Sequence, residues 1–144
     1  MNRFISIVAI VLGVIFQSLQ AQNAILLPIS PRSSGMGKTS LNFTDVHSLF
    51  GNQAGMAAVE EFGALGMVEQ RFLLADLRQA AIGAVLPTFS GVFGLSLRNF
   101  GTLDYRESGV GVAYARKLSD RLRIGGQFHW AQISLAEYGS RSFF

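Results

Sequence analysis

Three successive runs within residues 89–135 alternate between large apolar and small or polar side chains, and this alternation constrains the fold most. One parity carries Phe89, Phe93, Leu95 and Leu97, then Val110, Val112 and Tyr114, then Leu122, Ile124, Phe128 and Trp130. The other carries Ser90, Gly94, Ser96 and Arg98, then Gly109, Gly111, Ala113 and Ala115, then Arg123, Gly125, Gln127 and His129. Period two is strand geometry, because successive side chains on a strand point to opposite faces. Strands of ~9–11 residues with one apolar and one glycine-rich polar face predict a transmembrane β-barrel. On this reading Phe93, Leu95, Val112, Ile124 and Phe128 face lipid, and Ser96, Arg98, Arg123, Gln127 and His129 face the lumen. An arginine at Ala113 is then expected to cost much less than one at Leu95 or Val112.

Only one apolar run is long. It covers residues 4–16, comes after Asn2-Arg3 and is interrupted by Ser6 and Gly13. It is short for a membrane helix, which needs ~20 residues. The polar, small-residue stretch 17–21 comes next. Basic start, short apolar middle and small residue at the cut predict a secretory signal peptide cleaved after Ala21. An uncleaved anchor is the alternative. The chain has no cysteine, which fits an exported protein without disulfides and excludes a bacterial lipoprotein. The formal net charge of +3, which loses one unit with Arg3 of the signal, is too small for a nucleic-acid partner, and no basic cluster interleaves with aromatics.

Residues 22–61 differ in character from the strand-rich remainder of the chain. Pro28 and Pro31 bracket an extended opening, and residues 33–37 read as a flexible glycine-rich turn. Asp45 is placed to cap a short helix over 46–50, which Gly51 would end. A second helical turn is expected over 55–59. The segment is too short for its own core, so it is expected to pack inside something larger as a plug. From residue 62 five strands are expected, at 62–72, 77–86, 89–98, 107–117 and 121–135. Tight turns fall at Pro87-Thr88 and at 118–120. Longer polar loops fall at 99–106 and 136–142, whereas 73–76 is short. Five strands cannot close a barrel, since single-chain barrels have eight or more. The expectation is therefore an N-terminal piece of a longer protein.

No catalytic constellation is visible. His47 and His129 are the only histidines, and neither stands in a metal-ligand spacing. His129 reads as a lumen-facing hydrogen bonder and His47 as a packing residue of the plug. Residues 35–39 end like a phosphate-binding loop but lack its first glycine and any preceding strand. Asp104 and Glu107 are expected in an outer loop beside Arg106. Tyr105 and Tyr138 border the expected outer loops, where an aromatic girdle would lie. No cofactor and no metal is expected.

Residues 31–59 resemble the start of a known family. Pro31-Arg32-Ser33-Ser34-Gly35-Met36-Gly37 resembles the "ARxxGMGxA" opening of the PorV/PorQ-like proteins of Bacteroidota, relatives of the FadL outer-membrane transporters. Asp45-Val46-His47-Ser48-Leu49-Phe50, continuing into Gly51-Asn52-Gln53-Ala54-Gly55-Met56-Ala57, resembles their "D-x-x-S-L-F-x-N-P-A-G-L-A" signature. Gln53 replaces the usual proline and Met56 the usual leucine. The strands over 109–118 and 122–130 are similar too. The resemblance implies an outer-membrane barrel with a plug carrying Gly35, Met36, Gly37, Asp45, Asn52, Gln53 and Ala54. It implies support of type IX secretion, with secretion components as partners, or transport of a hydrophobic ligand across the outer membrane.

The expectation is thus an all-β, antiparallel, non-enzymatic barrel protein of a Gram-negative outer membrane, with membrane lipid around it. Residues 1–21 are the signal peptide, 22–61 the plug and 62–144 the first strands. The alternative is a periplasmic or secreted β-sandwich binding module.

Overall fold

The computed structural model describes residues 30–136 and 139–143. The expected signal peptide, its cleavage point, the extended stretch at Pro28 and Tyr138 lie outside the described residues. Six antiparallel strands form one sheet in chain order: β1 (Gly63–Gln70), β2 (Arg78–Thr88), β3 (Gly91–Gly101), β4 (Tyr105–Ser119), β5 (Leu122–Leu135) and β6 (Gly139–Phe143). The all-β antiparallel expectation holds. The sheet is open, with β1 and β6 as its edges, and does not close into a barrel.

Several boundaries differ from the sequence reading. Six strands stand where five were expected, because residues 139–143 form a strand on β5, not a loop. The β2–β3 turn is Phe89-Ser90; Pro87 and Thr88 belong to β2 and pair with Val92 and Gly91. The β4–β5 turn is Asp120-Arg121, with β4 running on to Ser119. The loop expected over 99–106 shrinks to 102–104. Gly101 makes that tight return possible by taking φ +94°, a backbone state that side chains with a Cβ rarely adopt. The β1–β2 connection is the longer one instead, since two 3-10 turns fill residues 71–77.

The period-two pattern sorts each strand into two faces. On one face stand Ile82, Phe93, Leu95, Leu97, Val112, Ile124 and Phe128, all exposed. They form cross-strand rows, such as Ala84–Leu95–Val112–Phe128. On the other face the register aligns Val85, Gly94, Ala113 and Gln127 in one row, and Gly83, Ser96, Gly111 and His129 in the next. Residues before β1 cover this second face.

That covering segment is built from short capped turns. A one-turn helix, α1 (Pro31–Gly35), has Pro31 in its first turn, and the Ser30 hydroxyl accepts from Ser33 N–H at 3.3 Å. The helix takes residues 33–35 of the turn expected over 33–37, and the turn itself falls at 36–38. Two 3-10 helices come after it, Val46–Phe50 and Gln53–Ala58. Asp45 caps the first by accepting from His47 N–H at 2.9 Å, as its position implies, and Gly51 ends it. Leu49, Phe50 and Met56 then enter one core with Met67, Ala81, Val85, Val92, Ala113 and Ala115 of the sheet.

Candidate functional site: the seam between the N-terminal segment and the sheet

The seam fits because the sheet lacks side chains where the segment has them. A Cβ placed on Gly94 would lie 2.6 Å from Leu49 Cδ1 and 2.7 Å from Met56 Cε. One on Gly83 would lie 2.7 Å from Leu49 Cδ2 and 2.8 Å from Phe50 Cε2. Real carbon contacts are not that short, so these glycines are the sockets for Leu49, Phe50 and Met56. Gly125 does the same for backbone, since its Cβ would fall 2.6 Å from Ala54 N. Leu49 and Met56 are 0% exposed as a result. By area, burial of such a side chain is worth about 1.5–3 kcal/mol.

Polar ties fix the register of this packing. Gln53 Nε2 donates to Gln127 Oε1 at 2.7 Å, and also to the Leu49 carbonyl at 3.2 Å. Gln127 Nε2 donates in turn to Ser96 Oγ at 2.8 Å, and Ser96 Oγ to the Gly111 carbonyl at 3.4 Å. This chain runs from the segment through β5 and β3 to β4. Neutral hydrogen bonds contribute about 0.5–1.5 kcal/mol each, but a buried partner left unmatched costs about 1–3 kcal/mol. The chain therefore selects one docking position more than it adds stability. Asn52 holds the turn from within. Its Oδ1 accepts from Ala54 N–H at 3.2 Å, and its Nδ2 donates to the Leu41 carbonyl at 2.8 Å.

The expected plug residues divide into two groups. Asp45, Asn52, Gln53 and Ala54 build or line the seam. Asp45 also pairs with Arg32 at 2.7 Å, and Arg32 lies over the Phe43 ring at 4.6 Å. Gly35, Met36 and Gly37 do not join them. Met36 is exposed, and a Cβ on Gly35 or Gly37 would meet no atom within 4 Å among the described residues. All the expected inner-face residues stand on the covered face: Ser96 and Arg98 are buried, and Arg123, Gln127 and His129 are half-buried. The Arg98 guanidinium stacks on the Phe50 ring at 5.0 Å. Phe93, Leu95, Val112, Ile124 and Phe128 stand on the opposite, bare face.

Two residues depart from their expected places. Glu107 is not in a loop; it lies within β4, 1% exposed, and accepts a hydrogen bond from the Tyr105 hydroxyl. Tyr105 is the first residue of that strand and is half-buried rather than an exposed girdle residue. Gln53 is the functional side chain that sequence reasoning undervalued. A proline in its place could make neither of its two side-chain bonds. No group of three His, Cys, Asp or Glu is placed to hold a metal ion among the described residues. His47 instead meets Ser30 Oγ at 3.4 Å and the edge of Phe43.

The arrangement defines an antiparallel all-β sheet whose small-residue face is closed by its own N-terminal segment. No family model, curated protein or solved structure matches this chain.

Proposed function

We propose that this chain forms part of the wall of an outer-membrane β-barrel, with residues 30–61 as a plug on its luminal face. The observation that carries the reading is which face is covered. In a soluble sheet, a covering segment hides the large apolar side chains and leaves the polar face to water. Here the segment packs on a mixed face, burying Met67, Val85 and Val92 together with Gly, Ser, Arg and Gln, and leaves the larger apolar set of Leu95, Val112, Ile124 and Phe128 bare. Lipid is the solvent that suits that bare face. β2 and β3 have 11 residues each, enough to cross a bilayer core at the usual tilt. The arrangement speaks against the soluble β-sandwich module.

The role that goes with this reading is non-enzymatic and of the PorV/PorQ type, as the sequence resemblance implies. Between its two branches, we favour support of type IX secretion over uptake of hydrophobic molecules. The covered face carries buried Gln79, Arg98 and Glu107 beyond the apolar seam, a poor path for an apolar ligand. The test is fractionation of the full-length protein. It should sediment with outer membranes and migrate faster unheated than boiled. Recovery in the soluble periplasmic fraction without detergent would reject the barrel. Co-purification of secretion components, against an extractable hydrophobic ligand, separates the two roles.

A further inference from the structure

A second feature lies at the end of the sheet where β4 turns into β5. Arg116, Lys117, Arg121 and Arg123 fall within eight positions there, with Asp120 as the sole carboxylate among them. Lys117 and Arg123 are direct cross-strand partners on the covered face. Like charges set opposite one another destabilise a sheet unless something compensates. Lys117 has its compensation: its Nζ lies 2.7 Å from Asp120 Oδ1. That hydrogen bond and the lysine charge hold the Asp120 carboxyl below the usual carboxylate range. Asp120 is thereby committed to Lys117. Among the described residues, neither Arg121 nor Arg123 reaches a carboxylate within ion-pair distance.

Both arginines border a cleft of about 340 Å³ between this turn and the loop at 41–44, and Asp120, paired with Lys117, lines it beside them. Asn42, Thr44 and Asn52 supply polar groups from the opposite wall. The Asn52 side chain is already engaged with Leu41 and Ala54. Asn42 and Thr44 are exposed. One wall thus belongs to the N-terminal segment and the other to the sheet.

We propose that this cleft binds a multivalent oxyanion, a phosphate or a polycarboxylate, held by Arg121 and Arg123 and bridging the N-terminal segment to the β4–β5 turn. Two guanidinium groups offer paired N–H donors that match such oxygens. The ligand would supply the negative charge that the Lys117–Arg123 pairing leaves uncompensated. It would also clamp the segment onto the sheet. The site is independent of the membrane reading, since a soluble sheet with this turn would bind the same anion.

The test is calorimetric titration of the folded full chain in detergent micelles, with inorganic phosphate in one arm and citrate in the other. Saturable binding is expected for at least one probe, weakening as ionic strength rises. The stronger arm identifies the oxyanion class. Arg123→Gln should weaken binding roughly tenfold or more, and Arg121→Gln should do likewise. Arg116→Gln, on the outward parity opposite Ile124, should leave binding unchanged. Bound anion should also slow hydrogen exchange across 41–55. If Arg123→Gln fails to fold by circular dichroism, Arg121→Gln, in the exposed turn, decides alone. Absence of saturable binding in both arms, or equal affinities in Arg121→Gln and the parent, overturns the proposal. Failure of the fractionation test leaves it standing.

Discussion

The two faces of one sheet are made by alternate residues of the same strands, yet they meet opposite environments. Val112 is 55% exposed and its neighbour Ala113 is 0% exposed. On the inner face, glycines leave hollows and a capped segment fills them. On the outer face, large side chains stand in rows with no covering chain. Hydrophobicity alone does not decide burial here, since an apolar core forms only on the face that has room. Small residues make a surface that another backbone can approach closely, as Ala54 does at Gly125. Bulky residues make a surface that only a fluid solvent can fit. The difference explains how one sheet can be packed on one side and left bare on the other.

The contrast can be broken most directly at Leu49. Leu49→Ala is expected to cost about 2–5 kcal/mol, because it empties a filled hollow. Leu95→Ala on the outer face should cost less than half as much in the same denaturant titration of micelle-folded protein. Equal costs would show that the faces are not packed differently. Next comes charge. On the barrel reading proposed above, Leu95→Arg or Val112→Arg should cost about 2–4 kcal/mol on refolding of the full-length protein into bilayers. Ala113→Arg is expected to cost at least as much. The parity of the sequence suggested a tolerant luminal position, but Ala113 lies under the segment and offers no space. A cheap Ala113→Arg would mean that the covering segment is not seated as described.

Smaller effects sharpen the seam itself. Gln53→Leu should destabilise docking by about 1–3 kcal/mol, since Gln127 loses its donor in a half-buried place. Hydrogen exchange should rise across 45–57 while β3 and β5 stay protected. Asn52→Leu should raise exchange over the same stretch, with a cost of about 0.5–2 kcal/mol for the lost cap. Unchanged exchange in both variants would remove these side chains from the docking account. The smallest effect concerns Asp120. A carboxyl with a depressed folded-state pKa adds stability above its ordinary pKa and loses it as pH falls through the depressed value. Asp120 is fully exposed, so no change in unfolding midpoint is expected. Its titration by NMR should simply move upward in Lys117→Met.

The parity of the strands was legible because period two needs no tertiary information. The cap at Asp45 was legible too, because a carboxylate one residue before a short helical run has few other uses. The turns were less so. Pro87 reads as a turn former, yet a proline near the end of a strand can stay in the sheet, and the chain reverses two residues later. β6 was hidden because Gly139, Ser140 and Arg141 have no strand propensity of their own; pairing with β5 orders them. Glu107 looked like a loop residue beside Arg106, and only the register of β4 turns it inward. At the seam, the small residues of β3 to β5 announced that something packs there. The reach of Gln53 to Gln127 could not be read, because it spans 74 positions and two elements.

That separation also orders events in time. The segment at 30–61 leaves the ribosome before any strand exists, while its seat is spread along the sheet: Leu49 and Phe50 sit on Gly83 of β2 and Gly94 of β3, and residues 53–58 sit mainly on β4 and β5. Gln53 and Ala54 therefore have no seat until the hairpin of β4 and β5 has paired. Contacts of such long range form late and leave apolar groups exposed to aggregation meanwhile. A turn made before every strand is, on this topology, among the last to settle. Pulse-labelled refolding should find residues 53–58 protected only after 122–135.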